Sequence, residues 1–405
     1  MRPFQQLLVL VLGVEALFIW LSPSRGSYPT ALSPVRYPLL TKYFSSHTGD
    51  GGAWYIPPEW IRGLERVPTT IVEAAKIVRN YTQKPHIPHT VIPSVMHQTW
   101  KSANPVSWPE ELRHNTEKWL QAVEDAPMAY FLWDDHGMAQ FIQYFEPGLE
   151  YAIRALPSMV EQSDVFRILV SKWVGGIYSD MDTKPIRNPA TWIESPDRAA
   201  WEDPETNTIY HSEDLVRAIV GLEAVCPSDS DLYWRMGYTY PVQLTQWSFA
   251  WAPDHPILQL FLDNLAATLQ DISSKHDGNL RSLAAQRELS NMDALTLTGP
   301  AAFTVAVRRW LEATNRLRWN ALSTNPDRSK LVGDVLVLPI TGFSPGRGRY
   351  GNMGSKPTSD PSARLIHHGQ GSWKKTSLLV EYGKFCRTFF GRCKDWSKVP
   401  HNILY

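Results

Sequence analysis

Two carboxylates one residue apart, Asp180 and Asp182, close the run Gly175-Gly176-Ile177-Tyr178-Ser179-Asp180-Met181-Asp182-Thr183, just past a short β-type stretch. That spacing offers hard oxygen ligands to a divalent cation such as Mg²⁺ or Mn²⁺, and a cation so held could neutralise a diphosphate. A bare Asp-x-Asp recurs by chance and reads equally as a solvated turn after a strand. Its weight comes from the sequence before it. Ser163 to Val174 predicts an amphipathic helix ending at the glycine pair. Asp164 and Arg167 share one face of that helix, while Ile168, Leu169 and Val174 can pack inward. An exposed pair of this kind contributes only about 0.3–0.5 kcal/mol, so its interest lies in position. Far downstream, His367-His368-Gly369-Gln370-Gly371-Ser372-Trp373-Lys374 offers imidazole nitrogens to a metal and glycines that let backbone N–H groups approach an anion.

Helix, glycine pair, strand and carboxylate pair together resemble the Asp-x-Asp core of glycosyltransferases with the GT-A fold. The likeness continues through Met96-His97-Gln98-Thr99-Trp100-Lys101, Val220-Gly221-Leu222-Glu223-Ala224, Gln246-Trp247, Pro253-Asp254-His255-Pro256-Ile257, Thr298-Gly299-Pro300, Phe343-Ser344-Pro345-Gly346, Met353-Gly354 and the His-His segment. This ordered set, over roughly residues 88 to 375, is similar to glycosyltransferase family 32 and to its fungal initiation-specific α-1,6-mannosyltransferase branch.

The resemblance implies a set of roles. Asp164 and Arg167 would hydrogen-bond the donor sugar and, with Asp180 and Asp182, form the catalytic group. Trp100 would lie against the nucleotide base, and His97, Ser372, Trp373 and Lys374 would join the donor-binding set. The metal, Mn²⁺ or another divalent cation, would sit on Asp180, Asp182 and either His367 or His368, a choice the sequence leaves open. The donor would be GDP-mannose, the acceptor the N-linked high-mannose core of glycoproteins, and the outcome retention. Because no residue announces itself as a covalent nucleophile, the expected route is a same-face displacement at an ion-pair-like transition state. Two other classes remain: a family member acting on inositol phosphorylceramide, or a non-catalytic subunit of a mannan-polymerase-like complex. The intact carboxylates and histidines argue against the subunit, and a lone N-terminal hydrophobic span argues against the sphingolipid enzyme. The insertion Arg347-Gly348-Arg349-Tyr350-Gly351-Asn352 departs from the shorter family spacing and leaves the acceptor open.

These residues need a scaffold. The fold expected is α/β of GT-A type, a mixed, mostly parallel central sheet flanked by helices with the donor site at the strands' carboxyl ends. The 405 residues divide into a signal anchor (1–21), a stem (22–60), a helical extension of the stem (61–87) and a catalytic domain (88–405). Leu7 to Leu21 is apolar but interrupted by Glu15; its Leu, Ile, Val and Phe residues contribute roughly −3 to −6 kcal/mol to insertion against roughly +2.5 to +3.5 for the acid. An uncleaved anchor and a signal cleaved near Ser24-Arg25-Gly26 are the two readings. The family resemblance favours a single-pass type II protein of the Golgi membrane with a lumenal domain. Residues 22 to 60, rich in Pro, Ser, Gly and Tyr without helical period, read as a spacer.

Forty basic and 40 acidic residues balance, so no global field recruits nucleic acid. No Gly-x-Gly-x-x-Gly or Walker loop follows a strand, which disfavours dinucleotide and nucleoside-triphosphate enzymes. Seventeen Trp supply faces for sugar rings as well as cores. Asn80-Tyr81-Thr82 is a sequon. Of three cysteines, Cys386 and Cys393 are close enough in sequence to bridge, leaving Cys226 free, although spacing alone does not fix the geometry.

Overall fold

The computed structural model describes residues 32–46, 48–63, 66–347, 353–369 and 378–390. Its centre is a ten-stranded sheet. In chain order the strands are β1 (Thr48–Gly49), β2 (Gly52–Tyr55), β3 (Val95–Thr99), β4 (Ala129–Trp133) and β5 (Gly176–Ser179), then β6 (Thr183–Pro185), β7 (Trp201–Asp203) and β8 (Thr208–Tyr210), which lie outside it. The large sheet continues with β9 (Ala218–Val225), β10 (Val242–Leu244), β11 (Ser248–Trp251), β12 (Lys330–Val332) and β13 (Val335–Leu338), and β14 (Leu365–His367) ends the series. The spatial order is β1-β2-β4-β3-β5-β11-β9-β13-β12, with β10 alongside β9; β14 pairs with β6 and β7 with β8.

Parallel pairing is confined to β4–β3–β5 and to β9–β13. β11 runs antiparallel to both β5 and β9. Five of the six central strands therefore share one direction with β11 reversed among them, and their carboxyl ends collect along one edge. The sequence explains why. β3 (Val-Met-His-Gln-Thr) and β4 (Ala-Tyr-Phe-Leu-Trp) are near-continuous buried runs, the signature of strands covered on both faces. Along β4, Phe131 and Trp133 join one hydrophobic cluster while Tyr130 and Leu132 join the other, so each face of the sheet has its own core.

The helix Met159–Trp173 starts at Ser158, whose side chain caps Val160 N, and ends against Gly175 and Gly176, both at positive φ. A Cβ at Gly176 would lie 2.4 Å from Val95 O. Glycine there lets β5 come against β3 immediately after the helix, which sets the helix face close to the carboxyl end of β5.

The expectation of a spacer over 22–60 fails from Tyr37 onward. Tyr37, Leu40, Tyr43 and Phe44, in and before the helix Pro38–Ser46, are buried, and Leu39 N and Leu40 N both donate to Glu117. β2 pairs with β4 and caps that side of the parallel block. The Pro and Gly punctuation hid an aromatic-rich segment with ample apolar surface. Residues 61–87 likewise contain a packed helix, Ile71–Asn80, capped by Thr70 and burying Ile71, Val72, Ala74, Ala75 and Val78. Both segments belong to the folded body. Asn80, the sequon asparagine, is exposed at that helix's end.

Among the described residues no helix is long and apolar enough to cross a membrane, and Leu7–Leu21 lies outside them. Cys226 is a free, buried thiol and Cys386 is disulfide-bonded, while Cys393 is outside the described residues.

Candidate metal and donor site

Asp180 emerges from the carboxyl end of β5 in a turn held from several sides. Its N–H donates to Trp247 O (2.9 Å), and its carbonyl accepts from Thr183 N (3.0 Å), Thr183 Oγ1 (2.6 Å) and Gln98 Nε2 (3.3 Å). Its carboxylate Oδ1 accepts from Tyr178 O–H (2.8 Å) and from Arg167 Nη2 (3.1 Å). Tyr178, two residues earlier on β5, shares the pleat face and accepts in turn from Thr99 at the end of β3 (2.9 Å).

Arg167 reaches both carboxylates: Nη1 is 2.9 Å from Asp164 Oδ1 while Nη2 holds Asp180. Asp164 Oδ2 accepts from Thr298 Oγ1 (3.2 Å). Asp164 and Arg167 are both under 9% exposed, so this is no solvent-screened surface pair. Burial pushes the Asp164 carboxyl up to about 7 against the pull of Arg167. Burial also raises Asp180, with Asp182 adding to the rise while Arg167 and His367 oppose it. Burial alone would lower the Arg167 guanidinium, but Asp180, Tyr178 and Asp164 together hold it above its ordinary value. With Asp182 beside Asp180, carboxylates outnumber the one guanidinium here, and the excess negative charge suits a cation.

β14 supplies the remaining ligand. It pairs antiparallel with β6, placing His367 opposite Thr183. His367 Nε2 is 3.3 Å from Asp182 Oδ1, and its ring stacks on Trp247 at 4.3 Å between centroids. Asp180, Asp182 and His367 each offer one ligand atom, all within 4.8 Å of one another. Two carboxylate oxygens and one imidazole nitrogen fit Mn²⁺ or a similar divalent ion. Arg167 and Tyr178 both use Oδ1 of Asp180, so Oδ2 is the oxygen these two contacts leave for a cation. His368 faces the other way: Nδ1 is 3.2 Å from Glu111 Oε1, and only its backbone N–H reaches Asp182 O (2.9 Å). The alternation of a strand decides between two histidines that the sequence alone left equal.

His97 is a correction. It is fully buried in β3, with Nε2 3.0 Å from Gly175 O and Nδ1 accepting from Trp133 Nε1 (3.3 Å). Both ring nitrogens are used inside the core, and burial lowers its pKa to about 3, so it is a neutral packing residue with nothing left for a donor. Trp100 follows β3 at the same edge as Asp180, half-buried, with its backbone N–H donating to Trp133 O (3.0 Å). Trp100 Nε1, Arg167 Nε and Gln246 Oε1 are buried without a partner among the described residues, polar capacity that a bound polar ligand could use. Ser372, Trp373 and Lys374 lie outside the described residues. Tyr178, Thr298 and Trp247 are site residues to which the sequence assigned no role. Tyr178 was findable as the i−2 neighbour of Asp180 on a strand, whereas Thr298 and Trp247 sat within noted motifs.

The family described as "Glycosyltransferase sugar-binding region containing DXD motif" matches residues 109–199. That span carries Asp164, Arg167 and the pair Asp180 and Asp182, which is its DXD motif. The initiation-specific α-1,6-mannosyltransferase of Schizosaccharomyces pombe is 37% identical over 229 residues, covering 55% of this chain and 49% of that protein. The protein of the same name from Candida albicans is 27% identical over 315 residues, covering 73% of this chain and 76% of its own length. Against the first, the chain spans about half the length of its relative. A solved structure, PaToxG glycosyltransferase, aligns at TM-score 0.28 and 15% identity over 60% of this chain and 80% of its own, too remote to bear on geometry. The chain is thus a relative of the DXD glycosyltransferases, with α-1,6-mannosyltransferases among its kin.

Proposed function

We propose that this protein is a metal-dependent, retaining mannosyltransferase that moves mannose from GDP-mannose, in α-1,6 linkage, onto the N-linked high-mannose core of glycoproteins. The observation that carries the reading is the convergence of Asp180, Asp182 and His367 within 4.8 Å, beside the buried Asp164–Arg167 pair. A divalent cation such as Mn²⁺, bound there, supplies Lewis-acid neutralisation of the departing diphosphate.

The chain's own residues do the rest. Arg167 locks the helix face to the carboxylate pair through Asp180, which fixes Asp164 relative to the metal ligands. Asp164, braced by Thr298, presents its carboxyl to donor-sugar hydroxyls. Trp100, at the end of β3, offers an aromatic face to the base. The names of the relatives support mannose and the α-1,6 linkage. Residues 1–21, as a signal anchor, would tether the protein to the Golgi membrane with this site in the lumen, in reach of glycoproteins and of other glycosyltransferases.

Incubating the purified protein with Mn²⁺, a panel of nucleotide sugars, and either a high-mannose oligosaccharide or inositol phosphorylceramide tests this. Transfer from GDP-mannose to the oligosaccharide, abolished by excess chelator, is expected. Preference for another donor, product on the lipid, or full turnover in chelator would each overturn the corresponding part.

A further inference from the structure

Glu223 belongs to a motif that the metal and donor site leaves unused. On β9, Leu222 and Ala224 enter the hydrophobic cluster of one face, whereas a Cβ at Gly221 would meet Phe343, a member of the other cluster. Glu223 is the residue skipped at the irregularity between β9 and β10, where Gln243 faces Ala224 and Leu244 faces Leu222, and its contacts with Arg347, four residues beyond Phe343, set it toward the Gly221 face. On that face Phe343 lies 6.3 Å from Trp247 between centroids, and Trp247 stacks on the metal-ligand candidate His367. Glu223 therefore stands at the carboxyl end of β9, across two aromatic rings from the metal ligands.

Its surroundings are a polar network rather than a core. Gln243 Nε2 donates to Glu223 Oε2 (3.1 Å), and Gln243 Oε1 accepts from Thr239 N (3.0 Å), which fixes the amide. Arg347 Nη1 donates to Glu223 O (2.8 Å) and to the Tyr238 hydroxyl, while its Nη2 is 3.7 Å from Glu223 Oε1. Such a long ion pair leaves Oε1 able to accept a further hydrogen bond. Thr239 Oγ1 and Ser344 Oγ are buried beside this network without a partner among the described residues. The Tyr238 ring, with Arg347 Cζ 5.6 Å from its centroid, adds an aromatic surface.

We infer that Glu223, with Tyr238 and with Arg347 and Gln243 as positioning residues, forms the subsite that binds the acceptor sugar. A neutral polyhydroxylated ring matches a carboxylate and guanidinium set side by side, unpaired hydroxyls, and aromatic surface. The inference rests on the glycosyltransferase reading above and names its acceptor side.

Titration calorimetry of the full chain with a free high-mannose oligosaccharide, no donor being present, tests it, with GDP and Mn²⁺ titrated in parallel. Glu223→Gln and Arg347→Ala are each expected to weaken oligosaccharide binding at least about tenfold, the scale of a site whose polar groups lose their partner. GDP affinity should stay within about twofold, because the subsite does not touch the nucleotide. In turnover, Glu223→Gln should raise KM for the oligosaccharide while leaving KM for GDP-mannose unchanged, a split that simple destabilisation would not give. Equal oligosaccharide affinity in wild type and Glu223→Gln, or no oligosaccharide binding by the wild type, would overturn the subsite. Failure of GDP to bind the wild type strikes the donor reading alone, and the oligosaccharide titration still decides this one. Should Arg347→Ala not fold, Glu223→Gln carries the test.

Discussion

β3 and β14 both bring histidine to the neighbourhood of the carboxylate pair, and they use it in opposite ways. β3 lies between β4 and β5 with a hydrophobic cluster on each face, so His97 is sealed in, its ring nitrogens spent on Gly175 O and Trp133 Nε1. β14 has three residues and one partner, β6, and both its end and the next residue stay partly open: the His367 side chain is 23% exposed and that of His368 28%. On β3 the environment removes the charge from imidazole. On β14 it leaves one ring beside Asp182 and turns the next toward Glu111. The number of neighbours a strand has, more than the residue it carries, decides whether histidine is structural or available.

The largest effect that could break this contrast falls on the carboxylates. Asp182→Ala should lower kcat by about 10²–10³-fold, the usual cost of losing one electrostatic contact to developing charge, while circular dichroism and melting stay close to wild type. Unimpaired turnover would remove the metal reading altogether.

The two halves of the His-His pair sharpen it next. His367→Ala should weaken Mn²⁺ binding, read by the spin signal of free Mn²⁺, by about 10–100-fold. His368→Ala should stay within about threefold, since its ring reaches Glu111 rather than the carboxylate pair. Equal losses in both variants would mean that strand alternation does not govern the site.

The smallest expected effect on the reaction itself is at β3, where the change falls on stability instead. The folded pKa of His97, about 3, lies below its ordinary value of 6.5, so the unfolded chain binds a proton there that the folded one refuses. Its stabilising share is whole above pH 6.5 and is lost as pH falls toward 3, with a slope of up to about 1.4 kcal/mol per pH unit. His97→Gln should flatten the dependence of melting on pH across that window by roughly this amount while costing about 1–3 kcal/mol at pH 7 for the disturbed hydrogen bonds. An unchanged slope would mean that the imidazole titrates in place.

The sequence made the local chemistry legible where one element carried it. The Asp164–Arg167 spacing, the glycine pair and Asp180-Met181-Asp182 lie within a single helix–strand unit, and period and turn residues suffice to place them. It misplaced His97 because a buried strand has no polar face to betray direction: in Val-Met-His-Gln-Thr every residue but the last is buried. It left His367 and His368 level because their difference arises only from pairing with β6, a partner remote in the chain. It took Tyr37 to Trp60 for a spacer because two-residue β1 and four-residue β2 are too short to show period two, and what those aromatics cover, β4, the Glu110–Asp125 helix and, for Trp60, the Tyr81 ring, lies elsewhere in the chain.

The ladder that joins residues 365–367 to 183–185 also bears on when the site comes into being. Closing a loop of that length costs entropy before any contact repays it, so such a pairing belongs among the late events of folding. A chain that has assembled β3, β4 and β5 already owns Asp180, Asp182 and Arg167 yet lacks the imidazole that completes the set. If a metal binds at this place, its binding would be a certificate of finished folding: a partly folded or C-terminally cut chain would keep its negative pocket and hold the ion weakly. Loaded metal and complete tertiary structure would appear together, and the ion would add its binding energy to the one conformation in which the middle of the chain and its late strand have met.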